Sequence, residues 1–151
     1  MEMVMRAHLA SASLQRNGFH SLAKFADRMI RLVFSAIIPS EADIHRTVKF
    51  FHNGFGVAIT KETRIAEHCQ IGSGVVFASR WPVAGGPTLE RGVTVYANAV
   101  LVGPVKIAED SVIAANSLVT TDVPARCFVA GNPARVFEKD IDPSKYRYPI
   151  E

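Results

Sequence analysis

The chain has 151 residues, the size of one domain, and 48% of them are hydrophobic, which is enough for a sizeable core. Its 17 basic and 14 acidic residues form no block of like charge, so the composition argues against a nucleic-acid-binding tail. The two cysteines, Cys69 and Cys127, lack the spacing of a disulfide framework or a zinc site, and the N-terminus lacks a signal-peptide pattern. These features predict a soluble cytoplasmic protein without a membrane span.

Residues 1–38 are predicted to be a helical segment. Their apolar residues recur at helical spacing and form one face, which contains Leu22, Phe25, Ala26, Met29, Ile30 and Val33. One interpretation is a helix that packs this face against the end of the core. The other is a helix that binds a membrane surface, with Lys24, Arg28 and Arg31 on its polar side.

A second period of six residues begins further along the chain. Ten large apolar residues obey this spacing in two runs: Ile59, Ile65, Ile71 and Phe77, then Leu89, Val95, Leu101, Ile107, Ile113 and Val119. Side chains spaced six residues apart would point in successively different directions around a helix. In a strand, side chains an even number of residues apart lie on the same face. One strand of this length is unreasonable, so the pattern predicts a parallel β-helix with a turn in every hexapeptide.

Residues four positions after these anchors are small or medium in size, which suits a tight corner; the exception is Trp81, which follows Phe77 where the rhythm is interrupted. Cys69 is one of them, and we interpret it as a small buried hydrophobe. If three hexapeptides close one coil, residues eighteen apart should stack. The predicted ladders contain Ile59, Phe77, Val95 and Ile113 in one case and Ile71, Leu89 and Ile107 in the other. The predicted domains are a helical segment (1–38), a β-helix (39–137) and a polar C-terminal tail at its far end (138–151).

Two stretches interrupt the six-residue rhythm. The first, "FFHNGFGVAI" at residues 50–59, places its two anchors nine residues apart, three more than one hexapeptide. The second, "ASRWPVAGGPT" at residues 78–88, contains two prolines and two glycines and is predicted to be a protruding loop. Loops on a rigid scaffold commonly carry function.

The repeat, the "HNGFGVAI" element, the sequence "PTLERGVTVYANAVLVG" and the closing "AANSLVTTDVPARCFVAGNPARVF" resemble the hexapeptide-repeat acyltransferases. Within this family, the chain looks most like the serine acetyltransferase group, over about residues 20–137. The resemblance implies a left-handed β-helix, a homotrimer with active sites between neighbouring subunits, and acetyl-CoA as the donor. It implies no metal and no nucleic-acid partner.

The resemblance also implies roles for individual residues. A histidine two residues after an inward anchor acts as general base in serine acetyltransferases, and His52 stands two residues after Phe50. An imidazole suits this task because it can accept a hydroxyl proton near neutral pH. Asp43 of the "DIH" motif matches an aspartate that orients the base. Acceptor contacts are expected at Asn53, Arg80 and Trp81, and CoA contacts at Ala78, Ala97, Ala115, Thr120 and Arg135.

The chain departs from the serine acetyltransferase pattern at two points. Phe51 stands where those enzymes carry an acid before the base, and the loop lacks the histidine of an Arg-His pair that holds serine. Three hypotheses follow: a serine acetyltransferase-like O-acetyltransferase acting on a small-molecule hydroxyl, an O-acetyltransferase of a sugar in surface polysaccharide biosynthesis, and a non-catalytic trimeric scaffold. A metal enzyme of the γ-type carbonic anhydrase kind is disfavoured, because only His52 and His68 lie in or beside the regular coils.

Overall fold

The computed structural model of the chain describes residues 2–148. Two helices, α1 (Met3–Arg16) and α2 (His20–Phe34), come first, and short strands follow. The strands are β1 (Asp43–Ile44), β2 (Lys49–Phe50), β3 (Ala58–Ile59), β4 (Arg64–Ile65), β5 (Gln70–Ile71), β6 (Val76–Ala78), β7 (Thr88–Leu89), β8 (Thr94–Val95), β9 (Val100–Val102), β10 (Lys106–Ile107), β11 (Val112–Ile113), β12 (Leu118–Val119), β13 (Phe128–Gly131) and β14 (Ala134–Glu138). A tight turn with left-handed backbone at His52 and Asn53 occupies Phe51–Gly54, and a single 3₁₀ turn occupies Pro143–Tyr146.

The strands form three parallel sheets that are the sides of a triangular coil, as the six-residue period predicts. We name each sheet by its outward side chains. The charged sheet, β1-β4-β7-β10, presents Asp43, Arg64, Thr88 and Lys106. The apolar sheet, β3-β6-β9-β12, presents Ala58, Val76, Val100 and Leu118. The covered sheet, β2-β5-β8-β11-β13, is parallel and is extended by the antiparallel strand β14.

The core consists of the predicted anchors, which are all buried. The residues four positions later are buried as well, except Trp81 in the protruding loop, and Cys69 is fully buried with its thiol donating to the Glu90 carbonyl at 3.1 Å. Its interpretation as a buried small residue is therefore confirmed. Stacked anchors on neighbouring coils hide apolar area from water, which stabilises the coil by roughly 25 cal/mol per Å².

The ladders predicted across the protruding loop are wrong. Phe77 stacks on Leu101, not on Val95, and Ile71 stacks on Val95, not on Leu89. These partners are 24 residues apart because the loop inserts six residues at one corner without adding a strand. Elsewhere the predicted step of eighteen holds, as between Ile59 and Phe77.

The N-terminal segment forms two helices, and residues 35–38 are not helical. Helix α1 caps the coil, since its buried Val4 and Met5 belong to the hydrophobic core. Helix α2 packs mainly against α1 through Ala23 and Ile30. Most of the apolar face predicted to pack on the core is exposed instead, including Phe25, which is 61% exposed. None of the helices within residues 2–148 is long and apolar enough to cross a membrane.

The C-terminal tail folds back along the outside of the covered sheet. At the far end of the coil, the Ile141 N–H donates a hydrogen bond to the Arg126 carbonyl. Closer to the near end, Arg147 forms a salt bridge with Asp110, and the Tyr148 N–H then donates to the Gln70 side chain. This path explains why the outward residues Gln70, Thr94 and Val112 are buried. Residues 149–151 of the predicted tail lie outside the described residues.

Candidate active site

The predicted site residues lie on two edges of the coil, on either side of the apolar sheet. The histidine edge is the corner between the covered and apolar sheets and contains His52, Ala97 and Ala115. The loop edge is the corner between the apolar and charged sheets and contains the loop at residues 79–87. In one subunit, therefore, the two interruptions of the repeat do not share a corner.

His52 lies on the outside of the histidine edge in a left-handed turn. His52, Asn53 and Gly54 have φ angles of 52°, 53° and 70°, so three consecutive residues turn the chain outward. Gly54 is buried, and a Cβ added there would lie 3.6 Å from both Val4 of α1 and the Phe50 side chain, so this turn lies against the cap. The imidazole is exposed, and no side chain within residues 2–148 hydrogen-bonds to it. Its nitrogens are accordingly available to an incoming hydroxyl.

An aromatic cluster stands beside His52. The Phe51 ring packs on Tyr148 of the folded-back tail, with 4.2 Å between ring centroids. Tyr148 also meets Tyr96 edge-on at 5.3 Å, and the Tyr96 hydroxyl donates to the Tyr146 carbonyl at 2.7 Å. Burial raises the pKa of Tyr96, and the charge of Tyr148 adds to this. Tyr148 and Tyr96 thus form one aromatic cluster with Phe51, which stands where the resemblance predicts an acid.

The tail is fixed to the coil by the Gln70 side chain, which pairs with backbone atoms of the tail as a neighbouring strand would. The Gln70 amide accepts from the Tyr148 N–H at 3.0 Å and donates to the Tyr148 carbonyl at 3.4 Å. Both bonds are shielded because Gln70 is only 4% exposed. Tyr148 and Gln70 were not predicted as site residues. The available signal in the sequence was that Gln70, at an outward strand position, is neutral. Outward positions on the charged sheet mostly carry charged side chains instead.

Asp43 does not contact His52 within one subunit. It lies on the charged sheet and lines a cleft of about 530 Å³ at the foot of the loop, together with Lys61, Arg64 and Gly85. This cleft adjoins the loop edge, whereas His52 belongs to the histidine edge. The role of Asp43 in orienting the base stays a prediction, and it requires two edges to meet.

The loop that carries Arg80 and Trp81 is compact. Its turn is closed by a hydrogen bond from the Val83 N–H to the Arg80 carbonyl, and the Arg80 side chain packs over Gly103. Trp81 is 91% exposed at the tip of this turn. A tryptophan so fully exposed on a rigid loop is available for contact with a ligand or another subunit.

Four of the five predicted CoA contacts are divided between the two edges, and the fifth, Arg135, lies in β14. Ala97 and Ala115 stack on successive coils of the histidine edge, where the Asn116 N–H donates to the Ala97 carbonyl at 3.1 Å. Ala78 ends β6, and Thr120 follows β12, on the loop edge. Arg135 in β14 is exposed and lines a small cavity of about 120 Å³. Within residues 2–148, no three His, Cys, Asp or Glu side chains are placed to hold a metal ion.

Comparison with known proteins identifies the group that the chain resembles. No protein-family model matches the chain. A serine acetyltransferase of Synechococcus elongatus is 35% identical over 99 residues, which are 62% of this chain and 41% of that protein. A serine acetyltransferase of Helicobacter pylori is 29% identical over 85% of this chain and 75% of its own length. The resemblance to serine acetyltransferases is confirmed.

Solved structures extend the similarity to the fold. A soybean serine acetyltransferase apoenzyme has a TM-score of 0.83 at 31% identity, over 88% of this chain and 55% of its own. The Neisseria gonorrhoeae enzyme in complex with serine has a TM-score of 0.85 at 26% identity, over 89% of this chain and 55% of its own. A serine acetyltransferase in complex with CoA scores 0.82 at 25% identity, over 88% and 55%.

Two conclusions follow from these comparisons. The predicted left-handed β-helix is confirmed, since such scores require the same hand of winding as in the serine acetyltransferases. The chain also spans only about two fifths of the Synechococcus enzyme and just over half of the solved chains.

Proposed function

We propose that this chain is an acetyl-CoA-dependent O-acetyltransferase that transfers an acetyl group to a small-molecule hydroxyl, with His52 as general base. The observation that carries this proposal is the similarity to serine acetyltransferases over 88% of the chain, including one in complex with CoA. The exposed imidazole on the edge lined by Ala97 and Ala115 agrees with it.

The proposed chemistry needs only what the histidine edge provides. The imidazole of His52 accepts the acceptor's hydroxyl proton as its oxygen attacks the thioester carbonyl, and CoA leaves as the thiol. Small side chains at Ala97 and Ala115 leave room for the pantetheine arm beside the backbone. A positioned base of this kind contributes about 10² to 10⁴ in rate.

The surroundings of His52 favour a neutral acceptor over serine. Serine brings a positive amine and a negative carboxylate, which call for charged partners in the site. Phe51 is instead covered by the Tyr148 ring, and Phe55, which is 63% exposed, lies on the other side of the turn. Aromatic rings provide apolar surfaces that suit the face of a sugar. The second candidate is therefore O-acetylation of a sugar in surface polysaccharide biosynthesis.

The test is thiol release from acetyl-CoA with serine, homoserine and simple sugars as acceptors. We expect His52→Ala to lower kcat by about 10² to 10⁴. His68→Ala is the matched control, because His68 is also exposed on a turn with a positive φ angle of 59° and should keep full activity. An unchanged rate in His52→Ala would remove the proposed base, and failure to bind CoA at all would favour the scaffold hypothesis.

We further propose that the subunits assemble as a homotrimer through the apolar sheet. Of the three sheets, the charged sheet presents charged side chains, and the outer face of the covered sheet is occupied by the tail. The apolar sheet leaves Val76, Val100 and Leu118 half-buried, and Ile37 beside them is 44% exposed. An apolar sheet face of this size needs a partner. In a closed ring, contacts are heterologous, so one edge of each subunit meets the other edge of the next.

This arrangement brings the divided residues together. The histidine edge of one subunit would meet the loop edge of its neighbour, where Asp43, Arg80 and Trp81 lie. A complementation assay tests it directly. We would mix His52→Ala with Ala78→Glu, which places a bulky charge on the loop edge. Each mixed trimer contains one intact interface of three, so random mixing should restore about a quarter of the normal rate. No restoration after verified subunit exchange would contradict a site between subunits.

A further inference from the structure

Helix α2 carries an exposed apolar stripe that nothing in the proposed reaction uses. The stripe consists of Leu22, Phe25, Met29, Leu32 and Val33, which are between 39% and 77% exposed. They repeat at helical spacing, so they form one continuous surface along the helix. Contiguous apolar surfaces of this kind mark interaction sites.

The helix is held so that it cannot turn the stripe inward. Its opposite side buries Ala23 and Ile30. The Asp27 carboxylate on that side accepts hydrogen bonds from the Ser11 hydroxyl at 2.6 Å and the Ser40 hydroxyl at 2.9 Å. Asp27 thus links α2 both to α1 and to the first coil. Phe25, Met29 and Val33 of the stripe line an open cavity of about 310 Å³ beside α1.

Positive charge runs beside the stripe. Lys24, Arg28 and Arg31 are exposed along the neighbouring side of α2. Residues 1–34 contain five basic and two acidic residues, whereas the rest of the chain contains twelve of each. The whole net charge of +3 therefore belongs to the helical segment. The single acid of α2, Asp27, is already bound to serine hydroxyls.

A second copy of the chain is a poor occupant for this surface. If two α2 stripes packed on each other, the basic rows would approach one another, and α2 has no unengaged carboxylate to separate them. Like charges brought together in this way oppose association. A negatively charged planar surface satisfies both features, since the apolar stripe can enter its interior while the basic row meets its charge.

We propose that α2 binds the surface of a bilayer that contains anionic lipids. The stripe lies at the boundary between headgroups and acyl chains, and Lys24, Arg28 and Arg31 contact lipid phosphates. Helix α2 is suitably placed, because it packs mainly against α1 and leaves the stripe exposed. In the homotrimer proposed above, three such helices occupy the same end of the assembly, so they can engage one planar surface together. The proposal does not depend on acetyl transfer.

Co-sedimentation of the full chain with vesicles tests this inference. We expect binding to vesicles of phosphatidylcholine mixed with phosphatidylglycerol, weakening as salt is added, and little binding to phosphatidylcholine alone. Changing Lys24, Arg28 and Arg31 together to Gln should weaken binding on the order of a hundredfold, since each cation contributes about fivefold near an anionic membrane. Phe25→Ser with Leu32→Ser should also abolish binding while circular dichroism stays unchanged.

The matched control changes the same net charge elsewhere, with Lys61, Lys139 and Lys145 all replaced by Gln. All three are exposed, so this variant should bind vesicles within about twofold of the unchanged chain. Equal loss in this control would reduce the effect to overall charge and overturn the proposal. So would equal binding to neutral and anionic vesicles. Light scattering without vesicles provides a further test: if Phe25→Ser with Leu32→Ser halves the mass of the assembly, the stripe joins copies of the chain.

Discussion

His8 provides a quantitative test of how α1 caps the coil. Its side chain is only 1% exposed, and within residues 2–148 its Nδ1 has no hydrogen-bond partner. Burial lowers the pKa of His8 from 6.5 to about 4, partly opposed by the charge of Asp27 and reinforced slightly by Arg16. The folded protein therefore holds this imidazole neutral.

The direction of the pH effect follows from this lowered pKa. Between about pH 6.5 and 4 the unfolded chain binds a proton at His8 that the folded chain does not. The free energy of unfolding therefore falls as the pH is lowered through this window. The full difference is about 3 kcal/mol, at 1.36 kcal/mol for each pKa unit, and about 2 kcal/mol of it appears between pH 7 and 5.

Urea unfolding at one fixed protein concentration measures this contribution at pH 7 and pH 5. His8→Leu should lose about 2 kcal/mol less than the unchanged chain over that interval, because it has no proton to bind. His20→Gln is the control, since it also removes one histidine but His20 is exposed on α2. Identical pH dependence in His8→Leu and the unchanged chain would refute the reasoning.

Three further predictions concern the histidine edge and its surroundings. Gly72→Ala should destabilise the fold by about 1–3 kcal/mol in urea unfolding and raise the KM for acetyl-CoA, because an added Cβ would lie 2.6 Å from the Ala97 backbone nitrogen. Gln70→Ala removes both bonds to the Tyr148 backbone, so trypsin should cut after Arg147 faster; an unchanged cutting rate would show that other contacts fix the tail. Cys69 should resist thiol reagents until the protein unfolds, since burial raises its pKa to about 12; rapid labelling of native protein would contradict this.

The six-residue period was sufficient to predict the coil and its buried anchors. An even period places Ile59 and Ile65 inside, and small residues such as Cys69 can occupy the corners between them. These features depend on local geometry alone, and every coil repeats them.

The stacking partners beyond the loop could not be predicted in this way. Twelve residues separate Phe77 from Leu89, and the same count fits two regular hexapeptides or one hexapeptide with six extra residues. Only the backbone hydrogen bonds distinguish them, and they pair Phe77 with Leu101. The first interruption was easier to interpret from the sequence, because its two anchors are nine residues apart. Nine is not a multiple of six, so the extra residues must form a bulge.

The sequence also could not predict which apolar surfaces stay exposed and need a partner. Helical spacing identifies an apolar face on α2, but it does not say whether that face meets the core. In the structure, the shorter helix α1 takes this place with Val4 and Met5, and Phe25 is left outside. The tail is similar, because the pairing of Gln70 with Tyr148 joins residues 78 positions apart. Contacts of this range leave no periodic trace.

The positions of the two interruptions of the repeat indicate that the proposed subunit assembly and the formation of the proposed active site are coupled in this fold. A β-helix presents flat sides, so a concave site must form where two coils meet or where a loop projects. Here the bulge that exposes His52 and the loop that exposes Trp81 lie on opposite edges of the apolar sheet. Burying that sheet in a ring would close a groove between the two edges at the same step. A change on the sheet alone, such as Val100→Asp, should therefore abolish acetyl transfer and trimer formation together, although it touches neither edge.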